Sequence, residues 1–165
     1  MQVVEFAQGT LRFLEAVPEQ APASGFVWIQ IEREALAGHL HALQDAALKL
    51  GGSPLLDLHV KDLENRAHPS HYDYTSIYDL VMFRRLATSS EVEAELAAQA
   101  AAGARGDAVA HAGPGRVPPL ASFRRIRTRA MGFVVFDRLL VTVHPSGCQL
   151  ARGCLERCLA DAVHT

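Results

Sequence analysis

The spacing of hydrophobic and polar positions changes several times along this chain, and each change marks an element. "VVEFAQGTLRFL" alternates apolar and polar residues on both sides of Gln8-Gly9, which predicts two short strands joined by a tight turn. "PEQAPASG" follows as a polar Pro/Ala loop. "FVWIQI", residues 26–31, is a short, continuously apolar run with β-branched and aromatic residues, the pattern of a buried strand. From Glu32 the period lengthens. Leu36, Leu40, Leu43, Ala47 and Leu50 recur at three- and four-residue spacing and predict an amphipathic helix that stops at Gly51-Gly52. Ser53-Pro54 reads as an N-cap followed by proline at the first helical position, so a second helix is expected from Pro54 to Glu64, ended by Asn65 and the "HPS" at 68–70.

"YDYTSIYDLVMFRRL" is rich in Tyr, Val, Ile and Phe and predicts a strand over 77–86. Ser90 with Glu93 matches a capping box, ahead of the helix-favouring run "EVEAELAAQAAA". "GARGDAVAHAGPGRVPP", residues 103–119, has Gly, Ala and Pro without period and reads as a flexible loop or insertion. "SFRRIRTRA", "GFVVFD" and "LLVTVH" predict three strands in quick succession, the last two joined tightly at Asp137-Arg138. Residues 148–162 return to helical spacing, with Cys154 and Cys158 on the face expected to be buried beside Leu155 and Leu159. Strands, helices and strands in this order imply an α/β chain: a mixed sheet with helices packed on it.

Composition narrows the class. The chain has 165 residues, 49% of them hydrophobic, enough for one domain with a real core. A net charge of −2 gives no global argument for nucleic acid or acidic lipid. No stretch holds the ~18 uninterrupted apolar residues of a spanning helix, and the N-terminus lacks the basic and apolar regions of a signal peptide. Three cysteines do not make a disulfide framework, and an odd count suits a reducing compartment. A soluble, cytoplasmic chain is expected.

Candidate chemistry gathers in four places. Histidine and cysteine collect after the predicted strand 139–143, where His144, Cys148, Cys154 and Cys158 could form a zinc or thiol site, or a strand end and helix face without chemistry. Pro145 cannot donate to a ladder and should end that strand. "LHVKDLENRAHPSHYDY" holds His59, Asp62, His68, His71 and Asp73; His59 and Asp62 lie three apart on a predicted helix and could share a face and a divalent cation. "RRIRTR" puts Arg125, Arg127 and Arg129 on one strand face, which could bind phosphates but more simply pairs with carboxylates of neighbouring elements. No Walker loop, dinucleotide fingerprint, His-Glu-x-x-His or nucleophile elbow occurs, so no catalytic set is expected.

Three segments in order carry a resemblance. They are "FVWIQI" with the helix after it, "PLLDLHVKDLENRAHPSHYDYTSIYDLVMFRRL" at 54–86, and "FRRIRTRAMGFVVFDRLLVTVHP" at 123–145. The set resembles the amino-terminal cytoplasmic domain of CorA-type divalent-metal transporters. The Trp28 strand, the helix from Leu58 to Leu63 and the strand Leu139 to His144 match the family pattern, and "LLVTVHP" is the best single piece. The match covers most of the chain except 87–120.

That resemblance implies an α/β/α sandwich, a mixed sheet between two helical layers, and a single cytoplasmic domain over 1–165. It implies a non-enzymatic module that senses intracellular cation and gates the pore of a full-length pentamer at the inner or plasma membrane. Mg2+ at subunit interfaces would be its ligand, with no cofactor in the isolated domain, no nucleic-acid partner, and membrane contact only through transmembrane helices. The family's transmembrane helices, stalk helix and Gly-Met-Asn signature are absent from this sequence, and since the regulatory carboxylates lie partly on the stalk, at least half of each regulatory site would be absent too. The region after the 77–86 strand, "LATSSEVE", offers Glu91 and Glu93 as candidate ligands. The alternative is a small soluble metal-binding protein or enzyme built on His59, Asp62, His68 and His71.

Overall fold

In the computed structural model, residues 1–103 and 126–163 are described. Strands β1 (Gln2–Ala7) and β2 (Thr10–Leu14) form the expected hairpin. Its turn residues Gln8 and Gly9 both have positive φ, 53° and 74°, the combination that suits the right-handed twist of a two-residue hairpin. Strand β3 (Phe26–Glu32) runs into a 3-10 turn, Arg33–Ala35, and then α1 (Leu36–Ala46). A π-helical segment, Ala47–Gly51, extends α1 and ends at Gly52 in the left-handed conformation, φ 85°. Helix α2 (Asp57–Glu64), β4 (His71–Tyr74), β5 (Asp79–Leu86), α3 (Ser89–Gly103), β6 (Thr128–Val135), β7 (Leu139–His144) and α4 (Gln149–Val163) complete the order.

The seven strands make one sheet in the order β2-β1-β3-β7-β6-β5-β4. It is mixed: β3 and β7 are parallel, whereas the β1–β2, β1–β3, β6–β7 and β4–β5 pairs are antiparallel. This is the α/β class the sequence predicts. Helices cover both faces of the central strands. Val27, Ile29 and Ile31 of β3 join Leu139, Val141 and Val143 of β7 in a core with Leu36 and Leu43 of α1, Leu50, and Val60 and Leu63 of α2. On the opposite face Trp28 packs with Val4 and with Leu155 of α4, flanked by Phe6, Phe26 and Leu140. Arg33 fastens the first of these layers. It is buried, and its guanidinium donates to the Leu63 carbonyl at the end of α2 and to the Ala130 carbonyl of β6, both at 2.8 Å. Burial lowers its pKa from the ordinary arginine value.

Residue contacts divide the chain into two compact units. One takes Met1–Arg84 and the segment from Ala130 onward; the other takes Arg85–Arg129. Within the second unit, Glu91 and Thr88 form a reciprocal capping box at the start of α3. The Thr88 N–H donates to Glu91 Oε2 at 2.8 Å, and the Glu91 N–H donates to Thr88 Oγ1 at 3.3 Å. Arg127 and Arg129 both pair with Glu95, at 2.6 and 2.5 Å, the carboxylate pairing expected for that arginine face. Arg125 and residues 104–119 of the predicted insertion lie outside the described residues. Among the described residues, no helix is long and apolar enough to cross a membrane.

Several expectations need correction. The second helix begins at Asp57, with Leu56 as its N-cap; Ser53 instead turns its hydroxyl to the Pro54 carbonyl at 3.1 Å. The capping box sits two residues earlier than Ser90 and Glu93, because Thr88 is the residue whose oxygen reaches the third helical N–H. The two strands predicted from "SFRRIRTRA" and "GFVVFD" are one, β6, running through Gly132. A side chain at Gly132 would meet Leu63 Cδ2 at 2.2 Å, so glycine there lets α2 press onto the sheet instead of breaking the strand. Strand β4, His71–Tyr74, falls where the sequence pattern predicts no strand. Cys154 is exposed and Cys158 half-buried, so they do not form a buried stripe; Leu155 holds that face, and Cys148 ahead of the helix is the buried cysteine.

Candidate functional site

The predicted His/carboxylate cluster separates into two local networks. His59 is 1% exposed, because α2 presses its inner face onto the core. Its Nδ1 lies 2.8 Å from the Tyr78 hydroxyl and its Nε2 lies 3.1 Å from Asp73 Oδ2. A carboxylate only accepts, so Nε2 carries the proton and Nδ1 accepts from the tyrosine O–H. The Tyr78 oxygen in turn accepts the Leu56 N–H at 2.9 Å. Burial, opposed by that N–H and aided by Asp73, raises the Tyr78 pKa. Both His59 nitrogens are therefore committed to the packing of α2 against β4 and β5. Asp62, three residues on, pairs with His68 Nε2 at 3.2 Å instead. His71 lies with its ring 5.8 Å from that of His68. Among the described residues no three His, Cys, Asp or Glu side chains are placed to hold a metal ion.

The second predicted pair, Glu91 and Glu93, divides likewise. Arg85 donates to both Glu91 oxygens, at 2.8 and 2.5 Å. That guanidinium, outweighing burial and helped by Thr88, holds the carboxyl at about 2. Both oxygens already serve this chain's own donors. Glu93 is exposed.

The residues brought together by the fold lie elsewhere, at the carboxyl ends of β3 and β7. β3 leads into α1 on one face of the sheet, and β7 leads into α4 on the other. Two parallel neighbours whose helices depart to opposite faces leave a crevice between them, the usual place for ligands in α/β sheets. A cleft of about 330 Å³ lies there. Gln30, Glu32 and His144 form part of its lining, and α4 supplies Arg152, Leu155 and Glu156. The register pairs Gln30 with Thr142 and Glu32 with His144, so these side chains line one face.

His144 is buried, with Nδ1 3.0 Å from the Pro145 carbonyl. A carbonyl only accepts, so Nδ1 is the donor of this bond. This is the local strand-end bond expected of His144. Glu32 Oε1 accepts the Gly147 N–H at 3.2 Å, and Glu34 Oε2 accepts both the N–H and the hydroxyl of Ser146, at 3.1 and 2.7 Å. The two glutamates hold the β7–α4 turn, where Gly147 has φ 69°. Gln30 is 5% exposed, and among the described residues its buried Nε2 has no hydrogen-bond partner.

The sequence reading found His144 but missed Gln30 and Glu32. Their signal was present. "FVWIQIE" reads as one apolar run, yet its alternate positions are Trp28, Gln30 and Glu32, and those of "LLVTVH" are Leu140, Thr142 and His144. No family model matches this chain, and no curated protein matches it.

Proposed function

We propose that this chain is the cytoplasmic regulatory and assembly domain of a CorA-type divalent metal ion transporter, not an enzyme. The observation that carries the reading is the central parallel pair. The Trp28 strand and the "LLVTVH" strand, distant in sequence and both part of the resemblance, lie side by side in register, and the Trp28 indole donates to Thr142 Oγ1 at 3.0 Å. A mixed seven-stranded sheet with helices on both faces of its centre is consistent with the sandwich that the resemblance implies. In the full-length pentamer, Mg2+ bound between subunits favours the closed arrangement that brings its ligands together, and loss of Mg2+ releases it. Glu93 is the exposed carboxylate available for such a contact; Glu91 is held by Arg85. The alternative, a metal-binding protein or enzyme on His59, has less support because both ring nitrogens are engaged.

The test follows the reading frame past Thr165. Two apolar segments of ~20 residues after a Gly-x-Asn element are expected. A frame that closes without them overturns the transporter reading. Elemental analysis tests the alternative: about one equivalent of zinc retained through dialysis would favour it.

A further inference from the structure

We propose that β4 is a dimerisation edge: two copies of this chain pair their β4 strands antiparallel across a two-fold axis at Tyr72, joining two sheets into one. The inference goes beyond the transporter reading and does not depend on it, since a two-fold contact is not one of the contacts that build a five-fold ring.

The hydrogen bonding of β4 sets what it turns outward. Among the described residues β4 is the last strand of the sheet, with β5 on its inner side. The register joins His71 to Met82 and Asp73 to Leu80. It continues to Thr75, whose N–H donates to the Tyr78 carbonyl at 2.8 Å. Hydrogen-bonded pairs alternate along an antiparallel ladder. His71, Asp73 and Thr75 therefore turn their backbone groups toward β5, and Ser70, Tyr72 and Tyr74 turn theirs away from it. Asp73 Oδ1 takes the Tyr74 N–H at 2.8 Å. The N–H and C=O of Tyr72, the N–H of Ser70 and the C=O of Tyr74 face outward, the template that a second strand extends. No lysine, proline or bulge interrupts His71–Tyr74.

Side-chain chemistry selects a second copy as the occupant and fixes its register. Centred on Tyr72, antiparallel self-pairing sets Tyr72 against the partner's Tyr72, each N–H donating to the other's carbonyl. Ser70 N–H then donates to the C=O of the partner's Tyr74, and reciprocally. The same register sets His71 opposite the partner's Asp73, once on each side of the axis. An imidazole carries an N–H donor in either protonation state, and a carboxylate accepts it. Centring on Asp73 would oppose two carboxylates, and centring on His71 two imidazoles. A one-residue slip would set outward groups against inward ones and lose the bonds. The other face agrees. Asp73 points to His59 of α2, so Tyr72 and Tyr74 stand on the opposite side of the sheet, their rings stacked 6.2 Å apart. Phe83 of β5, two residues on from the Val81 that pairs with Tyr72, shares that side. All three aromatics are more than half exposed. Pairing gathers them from both copies into one aromatic surface, the residue type enriched in interfaces. A strand of 4 residues places the contact in the weak, reversible class.

The experiment is sedimentation equilibrium of the full chain from ~1 µM to ~1 mM, the range that spans weak association. A reversible monomer–dimer equilibrium is expected, with a dissociation constant on the order of 10–100 µM. Tyr72→Lys sets like charges directly opposite each other across the axis, and His71→Asp sets a second carboxylate against the partner's Asp73. Each should weaken the dimer by about tenfold or more. Both side chains are exposed, so the variant monomers should keep the circular dichroism and melting temperature of the parent monomer. Tyr72→Cys tests the register by a gain. Hydrogen-bonded antiparallel pairs stand ~5.5 Å apart at Cα, within disulfide reach. Mild oxidation should therefore give a covalent dimer whose cross-link maps by mass spectrometry to position 72 in both copies. A monomer throughout the concentration range overturns the proposal. So does a dimer or larger oligomer that both charge variants leave at parental affinity. An oxidised Tyr72→Cys protein linked only through its native cysteines, or not linked at all, overturns it too.

Discussion

The two faces of the β3–β7 pair are built from the same two strands and differ in almost every chemical respect. One face carries Val27, Ile29, Ile31, Leu139, Val141 and Val143, all effectively removed from solvent beneath α1 and α2. The other carries Trp28, Gln30, Glu32, Leu140, Thr142 and His144. On that face only the first step is conventional packing, with the Trp28 indole against Leu155 and its N–H satisfied by Thr142. Further along, toward the carboxyl ends, the face turns polar while staying mostly buried. Burial of aliphatic side chains contributes roughly 1.5–3 kcal/mol each, whereas burial of polar groups returns little and costs stability when a partner is missing. A single alternating pattern thus concentrates stabilisation on one side of the sheet and leaves recognisable chemistry on the other.

Neighbouring residues should therefore respond in opposite directions. Ile29→Ala removes a fully buried side chain from the aliphatic face and leaves a cavity between strands and helices. It should cost about 2–5 kcal/mol, read as a lower urea midpoint with an unchanged slope. A loss near zero would mean that the two faces do not differ in the way their composition says. Gln30→Leu, one position along, replaces an amide whose buried nitrogen has no partner among the described residues with an apolar side chain of similar size. It should raise stability by about 1 kcal/mol, since an unsatisfied donor is removed and apolar area gained. A destabilised variant would show that the amide nitrogen is satisfied in solution.

The aliphatic face was legible because its residues recur at the spacing of the elements that bury them. Leu36, Leu43 and Leu50 announce the helix, and the apolar runs at 26–31 and 139–143 announce the strands. The polar face was hidden by the same runs, since an apolar neighbour on each side of Gln30 or Thr142 makes the stretch look uniformly buried. β4 escaped notice for a different reason. "HYDY" is four residues long, lies at the sheet edge and buries little, so pairing with β5, rather than its own pattern, makes it a strand. Helical spacing says which residues of α4 share a face, not which face meets the sheet; Leu155 meets it, and Cys154 does not. His59 and Asp62 show the same limit. Their spacing on α2 permitted a shared ligand, but Tyr78 and Asp73 arrive from other elements to claim the histidine.

The smallest effect should come from the turn that rims the polar face. Burial alone would raise the Glu34 pKa, but hydrogen bonds from Ser146 and from its own backbone, with Arg66 nearby, outweigh it and leave the carboxyl below its ordinary value of 4.5. A folded-state pKa below the unfolded one means that the ionised carboxylate favours the native state. Its contribution is complete above pH 4.5 and is lost as pH falls through the folded value. Glu34→Gln should therefore be less stable than the parent at neutral pH, by under about 1 kcal/mol because the side chain is partly exposed. The gap should narrow as denaturation is repeated at successively lower pH below 4.5. Ile29→Ala should show no such convergence, because no charge enters its deficit. If the Glu34→Gln gap stays constant through the acid range, the side chain supports the turn by contacts that do not depend on its charge.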